Sequence, residues 1–163
     1  MTPAKALAIF GAKYLFIAIL IIAFFYFLRQ PNSVRKRMLL LAAIACPLIL
    51  LIARIIAIFY YDPRPFVVGH FTPMIWHEPD NGFPSDHALL CAAISSWAFP
   101  FSKKLSAVAW LLTLLVGFSR VYVGVHHPID IAGSVVISIA TTAAVYGMLK
   151  RPAKLSLEPK GPK

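Results

Sequence analysis

The feature that most restricts this chain is the length of its apolar runs. Crossing a bilayer as a helix takes about 17–25 predominantly apolar residues, and five stretches meet or approach that length. The first runs from Ala6 to Leu28, and the second from Met38 to Tyr61, interrupted by Cys46-Pro47. A polar, proline-rich loop covers Asp62 to Asp86. The third stretch opens near His87 and fades at Pro100-Phe101, so it is short. The fourth covers Leu105 to Val123 and the fifth Pro128 to Met148. The first stretch is too long for the apolar part of a signal peptide, and no small-residue cleavage site precedes the basic loop, so it reads as a span. The expectation is an all-α polytopic membrane bundle of about five transmembrane helices. It forms a single integral membrane domain over 1–149, followed by a flexible basic cytoplasmic tail over 150–163.

Composition excludes the other classes. Apolar residues make up 60% of the 163, charged residues only 13% against the usual ~25%, and mean hydropathy is +0.76. Disorder, a disulfide scaffold and an ordinary soluble domain all fail on these grounds. Cys46 and Cys91 lie inside apolar runs, with no disulfide or zinc spacing.

The net charge of +10 would point to nucleic acid in a soluble protein. In a membrane protein it is first a topology signal, because Lys and Arg gather on the cytoplasmic side. Eleven basic residues fall on one set of loops: Arg29, Arg35, Lys36, Arg37, Lys103, Lys104, Lys150, Arg151, Lys154, Lys160 and Lys163. The opposite face holds four, Lys5, Lys13, Arg64 and Arg120, and Arg54 lies within the second span. This split places the N-terminus outside and the C-terminus in the cytoplasm. Nucleic acid is then not an expected partner.

The outer face carries the reactive residues. Five of the six acids and all five histidines lie on it or at the span ends bordering it. Three segments converge there: Asp62-Pro63-Arg64-Pro65-Phe66, Pro84-Ser85-Asp86-His87, and Ser119-Arg120 followed by His126-His127-Pro128-Ile129-Asp130. His126 and Asp130 are four apart, so a helix beginning near Pro128 sets the carboxylate one turn from the imidazole. A carboxylate holding one ring N–H leaves the other nitrogen as a nucleophilic lone pair. A free histidine side chain titrates near neutrality, so His87 is a candidate to protonate a leaving oxygen. Ser85 and the free N–H groups of a helix start suit phosphate oxygens, as do the planar guanidinium groups of Arg64 and Arg120. The set describes phosphoryl transfer through a phosphohistidine. Singly, each residue has a structural reading: the arginines as interface anchors, His87 as a helix-start residue, His126 with Asp130 as a structural hydrogen bond. Asp62, Glu78 and Asp80 read as solvated loop acids, and no spacing singles out His70, His77 or His127.

Together, Arg64-Pro65, Pro84-Ser85-Asp86-His87 and Ser119-Arg120-x5-His126-x3-Asp130 closely resemble the type 2 phosphatidic acid phosphatase (PAP2) superfamily, over about Tyr60 to Gly133. Pro-Ser-Asp-His is similar to the branch of undecaprenyl pyrophosphate phosphatases of the bacitracin-resistance (BcrC) type. The resemblance implies a phosphatase with no metal or other cofactor, in a bacterial inner membrane, its site facing the outside. His126 would attack phosphorus, Asp130 orient it and His87 protonate the leaving group. Arg64, Ser85 and Arg120 would hold the phosphate, with Pro84, Asp86 and Ser119 completing the substrate-binding set. The implied reaction turns undecaprenyl diphosphate, a lipid diphosphate, into undecaprenyl phosphate and phosphate. Another lipid phosphatase or phosphotransferase on the same scaffold stays open, acting on phosphatidate, phosphatidylglycerophosphate or a lipid-linked acceptor. A metal- or haem-binding membrane protein is disfavoured, since no two histidines lie four apart and the arginines would repel a cation.

One position departs from the family. Seven residues before Arg64, where the family has Lys, this chain has Ala57, and the nearby cation is Arg54. An arginine at a span's centre costs roughly 2.5–3.5 kcal/mol on insertion scales, so Arg54 should have a partner. It either snorkels toward the outer boundary or, the expectation taken here, reaches toward the anionic site.

Overall fold

The computed structural model describes residues 2–150, and these are helical with no named strand. The order is α1 (Pro3–Leu28), α2 (Asn32–Phe59), α3 (Pro65–Val68), α4 (Asp86–Ala98), α5 (Lys103–Tyr122) and α6 (Pro128–Lys150). Four of them, α1, α2, α5 and α6, are long and apolar enough to cross a membrane. The short third stretch becomes α4, whose 13 residues rise about 20 Å, less than the ~30 Å hydrocarbon core. The expected tail, beyond Lys150 at the end of α6, lies outside the described residues.

Local chemistry sets the helix starts. The Thr2 hydroxyl accepts from Lys5 N ahead of Pro3, and the Ser102 hydroxyl accepts from Leu105 N, each satisfying one free donor of a first turn. Pro128 opens α6, where its missing N–H costs nothing. Pro47 does not break α2, contrary to the sequence expectation, since the helix runs through it from Asn32 to Phe59. Bundled membrane helices tolerate proline because neighbouring groups re-satisfy the freed carbonyl.

The short α4 is the hub, packed against α1, α2, α5 and α6. Its buried face is made of small residues, among them Ala88, Cys91, Ala92 and Ser95. Facing it are Ser106, Ala109 and Thr113 of α5 and Ser134 and Ser138 of α6. Lipid is as apolar as leucine, so membrane helices associate through close backbone approach and interhelical hydrogen bonds. Ser95 and Thr113 hydroxyls lie 2.9 Å apart, Ser106 donates to Ser95 O at 2.7 Å, and Ser138 donates to Leu89 O. Large side chains such as Phe24, Ile58, Leu111 and Phe118 point outward instead. The antiparallel run of α2, α4, α5 and α6 brings the C-terminal ends of α2 and α5 to the same end as the starts of α4 and α6.

Candidate active site

The site is assembled at that common end. His126 sits in the turn between α5 and α6, which Gly124 makes possible at a φ of +83°, a left-handed conformation that side chains rarely adopt. The histidine is 2% exposed and Asp130 is fully buried. Asp130, in the first turn of α6, accepts from His126 Nδ1 at 3.1 Å and from the backbone N–H of His127 at 2.9 Å. The other ring nitrogen, Nε2, lies 3.3 Å from Arg64 Nη1 and 3.3 Å from Arg120 Nη2. A guanidinium only donates, so Nε2 is the acceptor and the proton is on Nδ1. Burial first, then the charges of Arg120 and Arg64, push His126 well below the usual imidazole range. The result is a neutral imidazole with its lone pair aimed between two permanent cations.

Both arginines are 4% exposed. Arg64 follows α2 and is locked at several points: Nε donates to Asp80 at 2.7 Å and Nη1 to Val125 O at 2.8 Å. Arg120, in the last turn of α5, reaches Ala12 O of α1 at 3.5 Å. Its Nε has no hydrogen-bond partner among the described residues, nor does the buried hydroxyl of Ser85. Ser85 precedes α4 and is tied to α6, since Ser134 donates to its carbonyl at 3.0 Å. His87 stands in the first turn of α4 with its ring edge-on to Phe16 of α1, centroids 5.0 Å apart. Such buried donors converging on one acceptor suit an anion with several oxygens.

The structure also recruits residues whose sequence context gave no signal. Asp80, read as a solvated acid, is the partner of Arg64. Burial alone would raise its pKa, but the hydrogen bond and charge of Arg64 hold it below the usual carboxylate value. Asn81 donates to Ala57 O and Tyr60 O, at the end of α2, and accepts from the N–H groups of Asp62 and Phe83. That side chain sets the path of the whole loop. The ring of His77 lies edge-on to His126, with centroids 6.0 Å apart, and burial, Arg64 and Arg120 lower its pKa. Asp62 pairs with His127 at 3.1 Å, and burial together with neighbouring Asp130 raises its pKa. Asp62, His127 and Asp130 hold their donor atoms within 4.8 Å of one another, a spacing that a metal ion would fit. His127 Nδ1 is paired with Asp62, and one oxygen of Asp130 with His126 and the His127 N–H, while the other Asp130 oxygen has no hydrogen-bond partner among the described residues.

The remaining expected residues diverge. Ser119 packs against Gly11 of α1, where an added Cβ would stand 2.3 Å from its hydroxyl, and so it holds the α1–α5 contact. Pro84 follows Phe83 in a cis peptide bond just ahead of Ser85. Asp86 points outward to Arg54, 3.8 Å away, with both side chains about 70% exposed (69% and 73%).

Known proteins resemble this chain in sequence and in fold. The chain is 34% identical over 134 residues to undecaprenyl-diphosphatase BcrC of Bacillus subtilis, covering 82% of this chain and 69% of that protein. It is 30% identical to the putative undecaprenyl-diphosphatase YbjG of Escherichia coli, covering 78% of this chain and 65% of the relative. This chain therefore spans about two thirds of these relatives' length. Among solved structures, Aquifex aeolicus LpxE has the same fold, with a TM-score of 0.67, 21% identity and coverage of 90% of this chain and 88% of that one. A PAP2-type phosphatidylglycerolphosphate phosphatase from Bacillus subtilis aligns with a TM-score of 0.57 and 25% identity, covering 95% and 81%. The model of the PAP2 superfamily matches residues 38–153, well over half of the sequence, and the chain belongs to that superfamily.

Proposed function

We propose that the chain hydrolyses undecaprenyl diphosphate to undecaprenyl phosphate and phosphate. PAP2 membership and the BcrC-like sequence make it a lipid phosphatase close to undecaprenyl-diphosphatases. The observation that carries the mechanism is the convergence of Arg64 and Arg120 on His126 Nε2, while Asp130 holds Nδ1. A phosphoryl group entering between them would meet the lone pair and both guanidinium groups at once.

His126 Nε2 attacks the terminal phosphorus in line, forming an N–P bond as the P–O bond to the lipid phosphate breaks. His87 gives its proton to that departing oxygen. Asp130 stabilises the charge that develops on the ring, and Arg64, Arg120 and Ser85 hold the three equatorial oxygens. Water then attacks the phosphohistidine as His87 takes its proton back, and phosphate leaves with Nε2 restored. On this reading the chain crosses the membrane five times, with α4 completing its path through flanking turns, and the charge distribution supports a cleft on the outer face of a bacterial inner membrane, where the spent carrier emerges.

The test is phosphate release by the purified chain against a panel of prenyl diphosphates and glycerophospholipid monophosphates. Preference for the long prenyl diphosphate is expected, with turnover persisting in a metal chelator. Faster release from phosphatidylglycerophosphate or phosphatidate, or transfer to a lipid acceptor, overturns the reading. His126→Ala is expected to abolish both turnover and the acid-labile phosphoenzyme.

A further inference from the structure

The two buried arginines both converge on His126 Nε2 and are committed to the phosphate that this nitrogen attacks. A diphosphate has a second phosphate, bonded to the lipid, and it needs a cation of its own. We propose that Arg54 is the ligand of this lipid-proximal phosphate, exchanging Asp86 for it when the head group enters; the inference rests on the diphosphatase reading above.

The direction of the leaving group selects the place. In-line displacement sets the departing oxygen opposite the attacking nitrogen, and the proton donor His87 marks that side. Asp86 immediately precedes His87 in the first turn of α4, and its carboxylate turns toward α2, where Arg54 stands 3.8 Å away. That separation exceeds hydrogen-bond distance, and the arginine side chain is 73% exposed. Arg54 therefore keeps its donors available. Its position is nonetheless costly, five residues before the end of α2 and so about 8 Å below it. Among lipid tails a guanidinium at that depth calls for an anionic partner, and one carboxylate at 3.8 Å is a partial one.

The surroundings match a phosphate with a tail attached. α1 and α2 barely touch each other, and between them α4 shows Leu90 and, further along, Ile94 and Trp97. A cavity of about 370 Å³ lies deeper in this gap, walled by Phe24 and Phe27 of α1 and by Leu39, Ala42 and Cys46 of α2. It is about 12–22 Å along α2 from Arg54, where it could take the tail and not the head group. A lipid leaving the site past Asp86 would run into this apolar cleft, its inner phosphate beside Arg54.

The experiment measures competition in the full chain, purified in detergent and turning over farnesyl diphosphate. Inorganic phosphate and inorganic pyrophosphate serve as competitors of wild type, Arg54→Gln and Arg54→Lys. Arg54→Gln is expected to raise the pyrophosphate inhibition constant at least about tenfold, the scale of one charge-assisted hydrogen bond. The phosphate inhibition constant should stay within about twofold, and Arg54→Lys should recover most of the pyrophosphate affinity. An unchanged pyrophosphate constant in Arg54→Gln overturns the proposal. So does a parallel rise of both constants, which marks general distortion of the site. A wild-type chain that releases no phosphate from any prenyl diphosphate instead removes the function reading, a result distinct from either.

Discussion

Asp130 decides which nitrogen of His126 is free. Its carboxylate can only accept, so the ring proton stays on Nδ1 and the lone pair on Nε2 faces the two guanidinium groups. Asp130→Asn presents an amide that can donate to Nδ1, which moves the proton to Nε2 and blocks attack. A loss of about 10³–10⁴-fold in kcat is expected, by analogy with the same change in a serine-protease triad, with KM little altered; a loss under tenfold would show that Asp130 only supports the fold. The pH profile follows from the same geometry. In the proposed mechanism only neutral His126 attacks, and burial, Arg120 and Arg64 lower its pKa, so the attacking form should extend to more acidic pH. The opposed needs of His126 and His87 give a bell, and its acid limb in kcat/KM should lie well below pH 6. The alkaline limb, set by the proton on His87, should vanish from the residual rate of His87→Asn. An acid limb between pH 6 and 7 that disappears with His126 would contradict this account. That His126, Asp130, Arg64 and Arg120 would meet was legible because their spacing carries chemistry: four residues from His126 to Asp130, and arginines at span ends. Asp80, Asn81 and His77 were not, because a loop has no period and one acid there looks like another.

At the scale of elements, the site depends on how the Asn81-to-Ser85 segment is pressed onto α6. Gly133 of α6 leaves room for the Phe83 ring, and an added Cβ there would lie 2.2 Å from Phe83 Cε2. Phe83 is also wedged against Tyr60, with ring centroids 4.8 Å apart, so it has little freedom to retreat. Gly133→Ala should displace the ring and, with it, Pro84 and Ser85 at the start of α4. The expected stability cost is about 1–3 kcal/mol, as for overpacking in a close-packed core, with a larger drop in kcat/KM. Phe83→Leu added to Gly133→Ala should return part of both. Thermal unfolding in detergent together with turnover checks this, and equal behaviour of Gly133→Ala and wild type would sink it. The long helices were legible because twenty or more apolar residues have few other solutions. Two features of the helices were hidden. Pro47 marks a break by local rule yet is carried through α2, and α4 is central because its residues are small, a property that hydropathy ranks below leucine-rich neighbours.

For the whole molecule, the charges carry an expectation about which end faces the cytoplasm. The site end carries the loop with Trp76, 80% exposed, while Arg35, Lys36 and Arg37 begin α2 at the other end. Basic residues within reach of span ends are retained on the cytoplasmic side, and acids contribute little to that choice. The eleven-to-four distribution is therefore a prediction about orientation, although Lys5 and Lys13 near the start of α1 pull weakly the other way. Thiol labelling tests it, once the two native thiols, lipid-facing Cys46 and buried Cys91, are replaced by alanine to clear the background. In intact cells a membrane-impermeant maleimide should label Trp76→Cys and leave Lys36→Cys untouched, and permeabilising the cells should expose the second. The reverse pattern would turn the site toward the cytoplasm. Equal labelling of both before permeabilisation would mean that the chain inserts in two orientations. Only the first outcome fits a phosphatase whose buried arginines receive a diphosphate head group from the outer leaflet. The same charge excess that looks like a nucleic-acid signature would then serve to hold one end of the bundle inside.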